Sequence, residues 1–311
     1  MEDLQQAVKS VAPGCYIVAV SGGVDSMALL DILRRRTDIY LIVAHVNHGM
    51  RTDAAIDQRL VEEYCASHNI TFCSTQLHLG VQASEARARQ ARYRFLRQCR
   101  IKYNALAIIT AHHQDDLTET AILNILRGTS WRGTAPFVRQ DDVLRPLLNV
   151  PKKQLLLYAK QHNIPWREDS TNSQTMYLRN YVRNVVMPLL DRKSSDWHKK
   201  FLQQVRKQQA LRRKIEAELS IMLTLLIIAY GQKITGQRYN WIMLPETLRY
   251  ECFQTLCRTH LGASLVKPRA TAACLFIKTA LPGKVMPLNK DWHLRVTRRD
   301  FVVEPCHGVV K

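Results

Sequence analysis

The string Ser21-Gly22-Gly23-Val24-Asp25-Ser26 stands where a short apolar run gives way to an amphipathic one. Two glycines let the backbone turn with its amides aimed inward. Two serines add hydroxyls, and the start of a helix adds the positive end of its dipole, so the group suits a phosphate. A Walker loop would place a lysine after its second glycine, and none follows here; γ-phosphoryl transfer by that apparatus is therefore not expected. A carboxylate, Asp25, lies inside the loop instead. Among phosphates a carboxylate makes physical sense mainly as a magnesium ligand.

A second group runs Thr110-Ala111-His112-His113-Gln114-Asp115-Asp116-Leu117-Thr118-Glu119-Thr120. His112, Asp116 and Glu119 fall at i, i+4 and i+7, hence on one helix face if the helix begins early, and near Asp25 across the strand ends. With His45 and His48 these imidazoles admit a zinc reading, but no cysteine is near them in sequence and the phosphate loop already asks for a hard cation. A purely structural His-His-Asp-Asp cap is the other competing reading. A third group, Glu85-Ala86-Arg87-Ala88-Arg89-Gln90-Ala91-Arg92-Tyr93-Arg94-Phe95-Leu96, spreads arginines over more than one helix face. Arg145-Pro146-Leu147-Leu148, Arg167-Glu168-Asp169-Ser170-Thr171-Asn172 and Arg179-Asn180-Tyr181-Val182-Arg183-Asn184 are dense in Arg, Asp and Asn beyond what folding needs.

The elements that must position these groups alternate. Apolar runs at 16–20, 40–46, 70–77 and 105–111, rich in Val, Ile and Ala, read as buried parallel strands. Helical patterns follow each, at 26–36, 52–68, 84–100 and 115–127, with Thr52 and Ser84 as N-caps and Gly128 just past the fourth helix. Such units build a doubly wound, mostly parallel α/β sheet that binds ligands beyond the carboxyl ends of its strands. After Gly128 an irregular stretch runs to Leu144, and a further amphipathic helix spans 151–162. A long helical pattern with basic clusters covers 194–229 and leads into a smaller, mainly helical domain; the alternating tail at 284–304 suggests a hairpin turning at Asn289-Lys290-Asp291. The expected division is a catalytic domain over 1–192 and a basic domain over 193–311.

Charge divides along the same line. The 311 residues carry 45 Lys+Arg against 26 Asp+Glu, a formal +19. Up to Leu190 the count is 23 against 17; from Asp191 onward it is 22 against 9, a net +13. With 46% hydrophobic residues this excludes a disordered basic tail and implies a folded protein with a polyanionic partner. The eight cysteines are scattered without a C-x-x-C, which argues against a disulfide framework or zinc ribbon. The N-terminus is acidic and polar, unlike a secretory signal, and the longest apolar run, 221–230, is well short of the ~20 residues that span a bilayer. A cytoplasmic location is expected.

The SGGVDS string resembles the signature of the PP-loop ATP pyrophosphatases. The ordered series SGGVDS, HVNHGMR, EARARQARYRFL, HHQDDLTETAILNILRG, RPLL, REDSTN and RNYVRN, over about residues 19–190, is similar to the tRNA(Ile)-lysidine synthetases within that superfamily. The resemblance implies a PP-loop fold and an AMP-forming ligase. ATP would adenylate the carbonyl oxygen at carbon 2 of the wobble cytidine of tRNA(Ile) with a CAU anticodon. Free L-lysine would then displace AMP to leave lysidine. It further implies that Ser21, Gly22, Gly23, Val24, Asp25 and Ser26 cradle ATP, that Asp25 and Asp116 serve magnesium, and that His112, Asp116, Glu119 and Arg92 act on the reacting groups. Arg87 is the second choice to Arg92, and Arg179 and Arg183 are candidates for tRNA or phosphate. Homodimerisation is left open.

The chemistry requires both halves. A ring carbonyl oxygen leaves poorly until esterified to phosphate, and freeing an amine of pKa near 10.4 at pH 7 costs about 4.6 kcal/mol, so a base is expected near the reacting carbon. The chain departs from the family pattern at Ser130 and Thr134, where a glycine and a leucine are usual, and it is expected to lack the acceptor-arm domain that many members carry. Rival readings are a PP-loop tRNA thiolase, whose closest cysteine pair would be Cys252 and Cys257, a non-catalytic RNA-binding relative, and amidation of a small metabolite.

Overall fold

The computed structural model describes residues 2–47, 54–77, 85–138, 142–167, 178–262 and 264–306. The HGMR and most of the REDSTN segments, and the caps expected at Thr52 and Ser84, lie outside them. Contacts divide the chain into two compact units, Met1–Gln209 and Ala210–Lys311.

The first unit begins with α1 (Glu2–Lys9), β1 (Gly14–Ala19), α2 (Val24–Arg34), β2 (Ile39–Asn47), α3 (Ala54–Ser67), β3 (Thr71–Gln76), α4 (Glu85–Lys102), β4 (Ala107–Ile109) and α5 (Gln114–Leu126). β5 (Val143–Leu144) is a fifth strand inside the stretch read as irregular, and α6 (Lys152–Gln161) follows a 3-10 turn over Pro146–Asn149. The strands lie in the order β3-β2-β1-β4-β5, all parallel. Alternation along β1 explains the two layers: Tyr16 and Val18 pack with Leu29, Leu33 and Leu155, while Ile17 faces Tyr93, Leu96 and Ile108 on the other side. Order reverses between β1 and β4, where Val18 pairs with Ile109, and this is the point at which an open α/β sheet opens a crevice.

One buried carboxylate ties the first layer together. Asp31 of α2 accepts hydrogen bonds from Tyr64 Oη (2.6 Å), Tyr158 Oη (2.7 Å), Arg34 Nε (2.8 Å) and Arg35 Nε (2.9 Å), joining α2, α3 and α6. Burial works against its charge, but these donors outweigh it and hold the carboxyl at about 2, below the ordinary 3.8. The folded-state value is depressed, so the contribution to stability is complete above the unfolded value and fades as pH falls through about 2. Asp31→Asn should cost roughly 3 kcal/mol at pH 7 and flatten the acid limb of a urea-midpoint titration. An unchanged acid limb would count against the network.

α7 (Leu178–Tyr181) runs through a π-helical turn over Val182–Val186 into α8 (Met187–Lys193). α9 (Trp197–Leu226) then begins by packing Leu202 and Val205 on Leu117 and Ala121 of α5. These contacts assign residues up to Gln209 to the first unit, beyond the boundary read from charge and pattern.

In the second unit β6 (Ile227–Tyr230) and β7 (Lys233–Gln237) form a hairpin around Gly231, whose φ is +57°. α10 (Arg238–Met243), α11 (Glu246–His260), α12 (Lys267–Thr279), β8 (Val285–Pro287), β9 (Trp292–Val296) and β10 (Asp300–Pro305) complete it. The expected tail hairpin exists, with Asn289 Oδ1 accepting from the amides of Asp291 and Trp292 in its turn. It belongs to a five-stranded antiparallel sheet, β6-β7-β10-β9-β8, beside the helices. Trp241, Phe253 and Phe301 form the centre of this core, and Gly236 on β7 leaves the Phe301 ring its space.

Candidate active site

The PP-loop leaves β1 at the switch point. Gly22 takes φ +91°, a conformation that a side chain resists, and a Cβ there would meet Asp57 of α3 at 3.4 Å. Its carbonyl accepts from the Arg167 amide (3.1 Å), and Arg167 Nε lies 3.5 Å from Asp57 Oδ1, so the first residue of the REDSTN motif and an aspartate not singled out in the sequence brace the turn. Ser21 and Ser26 do not project as two separate donors: their hydroxyls bond each other at 3.2 Å, Ser26 Oγ donates to the Gly23 carbonyl (2.9 Å) and accepts from the Ser21 amide (3.2 Å). They shape the loop, and α2 starts at Val24, two residues earlier than expected. Asp25 therefore sits in the first turn of α2.

From β4 comes the opposite wall. α5 begins at Gln114, so His113, not a residue further on, is its N-cap: its ring accepts from the Asp116 amide (3.4 Å) and its amide donates to Asp116 Oδ2 (3.0 Å). With Nδ1 accepting, the ring proton lies on Nε2, which is 3.4 Å from Asp25 Oδ2 and 3.3 Å from Asp116 Oδ2. One buried imidazole thus gathers the two carboxylates named for magnesium. Burial opposes a charge on His113, but the hydrogen bond to Asp25 and the fields of Asp116 and Asp25 prevail and raise its pKa. Burial likewise disfavours ionised Asp25, yet His113, Lys152 (Nζ 4.0 Å away) and Arg183 keep its carboxyl below the ordinary range. Asp25 Oδ1 is buried and has no hydrogen-bond partner.

His112 does not share the α5 face with Asp116 and Glu119, because it precedes the helix. Its Nδ1 shares a hydrogen bond with Thr110 Oγ1 (2.9 Å) and its ring lies 4.9 Å from that of Phe137. Burial first, then the charges of Arg145, Arg89, Arg92 and Arg179, holds its pKa well below 6.5, so it is neutral at pH 7. Arg92 is half-buried and forms part of that cationic surround; Arg87 is exposed. Glu119 is buried beneath a bidentate pair with Arg183, at 2.6 Å to Nε and 2.9 Å to Nη2, with Arg179 Nε at 3.8 Å. Arg183 also reaches to within 3.6 Å of Asp116. His113 and Lys152 are residues to which the sequence gave no site role, and Arg183 is one it offered for tRNA or phosphate.

Other parts of the chain offer less. His45 is buried with Nδ1 2.9 Å from the Val20 carbonyl oxygen, and among the described residues no group of three or more His, Cys, Asp or Glu side chains has the arrangement of a metal site. Cys252 and Cys257 lie in the second core, where burial pushes their thiols up to about 11 and about 12. No helix among the described residues is long and apolar enough to cross a membrane.

A PP-loop domain family model matches residues 1–190. The chain is 32% identical over 303 residues to a tRNA(Ile)-lysidine synthase of Aster yellows witches'-broom phytoplasma, covering 94% of this chain and 67% of that protein. The chain belongs to the tRNA(Ile)-lysidine synthase family of PP-loop proteins. The enzyme of the same name from Enterococcus faecalis is 35% identical over 223 residues, 66% of this chain and 47% of its own. That from Clostridium tetani is 38% identical over 186 residues, 56% and 40%. The chain spans about half the length of several curated relatives that it matches. In solved structures a U34-tRNA thiolase from Methanococcus maripaludis shares the fold at TM-score 0.57 and 15% identity, covering 68% of this chain and 78% of its own. The 190 matched residues enclose the PP-loop, His113, Asp116, Glu119 and Arg183.

Proposed function

We propose that this protein joins L-lysine to carbon 2 of the wobble cytidine of a tRNA(Ile) with a CAU anticodon, using ATP and releasing AMP and pyrophosphate. The observation that carries the reading is the pair of carboxylates, Asp25 and Asp116, gathered on His113 Nε2 beside a phosphate loop that has no Walker lysine. The similarity to tRNA(Ile)-lysidine synthases supports the choice of substrates.

The residues fit magnesium: its usual needs are one or two carboxylates with the remaining positions left to phosphate and water, and Asp25 Oδ1 is a buried oxygen lacking a partner. Asp25 and Asp116 would hold the ion, which supplies neutralisation of phosphate charge when bound. The Ser21–Ser26 turn and the N-terminus of α2 receive the phosphates. Lys152 and Arg183 stand beside the same carboxylates and balance their charge. His112, neutral and ringed by guanidinium charge, is a weak base. Its pocket suits an anion, and Arg92 with Arg145, Arg89 and Arg179 is assigned to the adenylate phosphate. The lysine ammonium is assigned to Asp116, which unlike Glu119 is not committed to a bidentate arginine. Asp116 takes a proton from the ammonium; the freed ε-nitrogen attacks carbon 2, forming the C–N bond as the C–O bond to AMP breaks, and a second nitrogen proton passes to water.

Incubation with ATP, L-lysine and the transcript should yield AMP, pyrophosphate and a wobble nucleoside heavier by lysine less water, read by mass spectrometry. ADP as the product would overturn the reading. The basic face of α9 is assigned to tRNA. Arg206, Lys207, Arg213 and Lys214 are exposed, whereas Arg212 is engaged with Glu216 at 3.0 Å. Reversing those four exposed charges should weaken tRNA binding about tenfold or more at moderate salt and lower the slope of log affinity against log salt by about one per lost phosphate contact. An unaltered slope in a filter-binding series would remove α9 from the tRNA surface.

A further inference from the structure

On the α4 face of the parallel sheet, Cys73 Sγ and Cys99 Sγ are 3.5 Å apart. Cys73 comes from β3, the edge strand, and is half-buried; Cys99 comes from the last turns of α4 and is buried beside Leu96. Neither belongs to the site proposed for the ligation, and an all-apolar pair would fill this space as well. We propose that Cys73 and Cys99 form a modification site at which a hydroperoxide oxidant, hydrogen peroxide in the simplest case, installs a reversible disulfide.

The geometry asks for little movement. A disulfide bond is ~2.05 Å long, so the sulfurs must close by roughly 1.5 Å, within the reach of side-chain torsions at a strand facing a helix. The Cys73 thiol lies between two acceptors, the Val43 carbonyl oxygen at 3.3 Å and the Cys99 sulfur. Its hydrogen bond lowers the Cys99 pKa against burial, with further help from Lys102, which makes Cys99 the nucleophile. The Cys99 thiolate attacks one peroxide oxygen, forming an S–O bond and breaking the O–O bond, and hydroxide leaves. The Cys73 sulfur then attacks the Cys99 sulfenic sulfur, the S–O bond breaks, and water carries away the oxygen with the Cys73 proton. In sum two thiols and one peroxide give one disulfide and two waters; the sulfurs are oxidised and the peroxide oxygens reduced. The link would tie the edge strand to the helix that carries Arg89 and Arg92, closing a loop of chain that the unfolded state must also keep closed.

The test uses the full chain. Wild-type protein is treated with excess hydrogen peroxide, alkylated, and digested without reductant. A peptide pair joined through Cys73 and Cys99, lighter by two hydrogens and released by dithiothreitol, is expected, with the thermal midpoint of the oxidised protein raised by several degrees. Cys73→Ser should abolish the pair and leave Cys99 as a sulfenic acid captured by dimedone. Recovery of both cysteines alkylated, or linkage of either to Cys15 or Cys65, would overturn the proposal. The wild-type map decides the matter even if the variant folds poorly, and it does not depend on the ligation chemistry.

Discussion

Replacing Asp25 with Asn should lower ATP-dependent pyrophosphate release by about a thousandfold or more while leaving tRNA affinity within twofold. The substitution keeps the shape of the side chain at the first turn of α2, so the packing of Met27, Leu29 and Leu30 behind it has no reason to change. What disappears is the negative charge between His113, Lys152 and the phosphate loop. An amide oxygen is a poor partner for a hard dication, and transition-state electrostatics of this sort are worth a few kcal/mol each in a water-excluded site, with the loss of a metal adding to that. Pyrophosphate release and filter binding, measured on one preparation, separate the outcomes. Parallel loss of both would indicate misfolding, and near-normal release would remove Asp25 from the chemistry.

The second large effect concerns stability. Glu119 is nearly inaccessible, and its carboxylate relies on the two hydrogen bonds from Arg183. Arg183→Ala leaves a charge in a dry site, with Arg179 at 3.8 Å the one cation left paired with it among the described residues. Breaking a buried pair from one side costs about 3–5 kcal/mol, which in a unit of this size lowers the thermal midpoint by roughly 6–15 °C. The double substitution Arg183→Met with Glu119→Met should recover much of that stability and none of the activity. A midpoint for Arg183→Ala within a degree or two of wild type would show that the pair is not buried as described.

How far the residues announced this depends on the range over which each signal acts. β1, β2 and β4 are readable because Val, Ile and Ala run through them where both sheet faces are covered, whereas β3, at the sheet edge, holds none of these residues and is only partly buried; the observed limits of all four agree within a residue or two. β5 has two residues, Val143 and Leu144, too few to carry any period, and exists because β4 offers it an edge. β6 was absorbed into the long helical pattern, since Ile227 to Tyr230 continues an apolar run; Gly231 at the turn decides where the helix gives way. In the site, Asp25 and Asp116 could be chosen from residue type. That His113 rather than His112 lies beside these carboxylates is not readable from spacing, because it hinges on where α5 begins, and that is set by the capping contacts of His113 with Asp116. The Arg183–Glu119 pair spans 64 residues of chain and leaves no local trace.

The adjacency of β1 and β4 has a consequence for how the molecule comes into being. Val18 and Ile109 are neighbours across the sheet, yet everything in β2, β3 and their helices is made between them. On a ribosome, β1 must wait with one edge unpaired until about ninety further residues have emerged, and such long-range parallel pairing is slow to form. The phosphate loop and the carboxylate wall opposite it thus meet only after β4 and the start of α5 have been made. A chain truncated before α5 lacks the carboxylate wall, and conditions that protect the unpaired edge of β1 during the wait, such as added chaperone capacity, should raise the yield of folded protein.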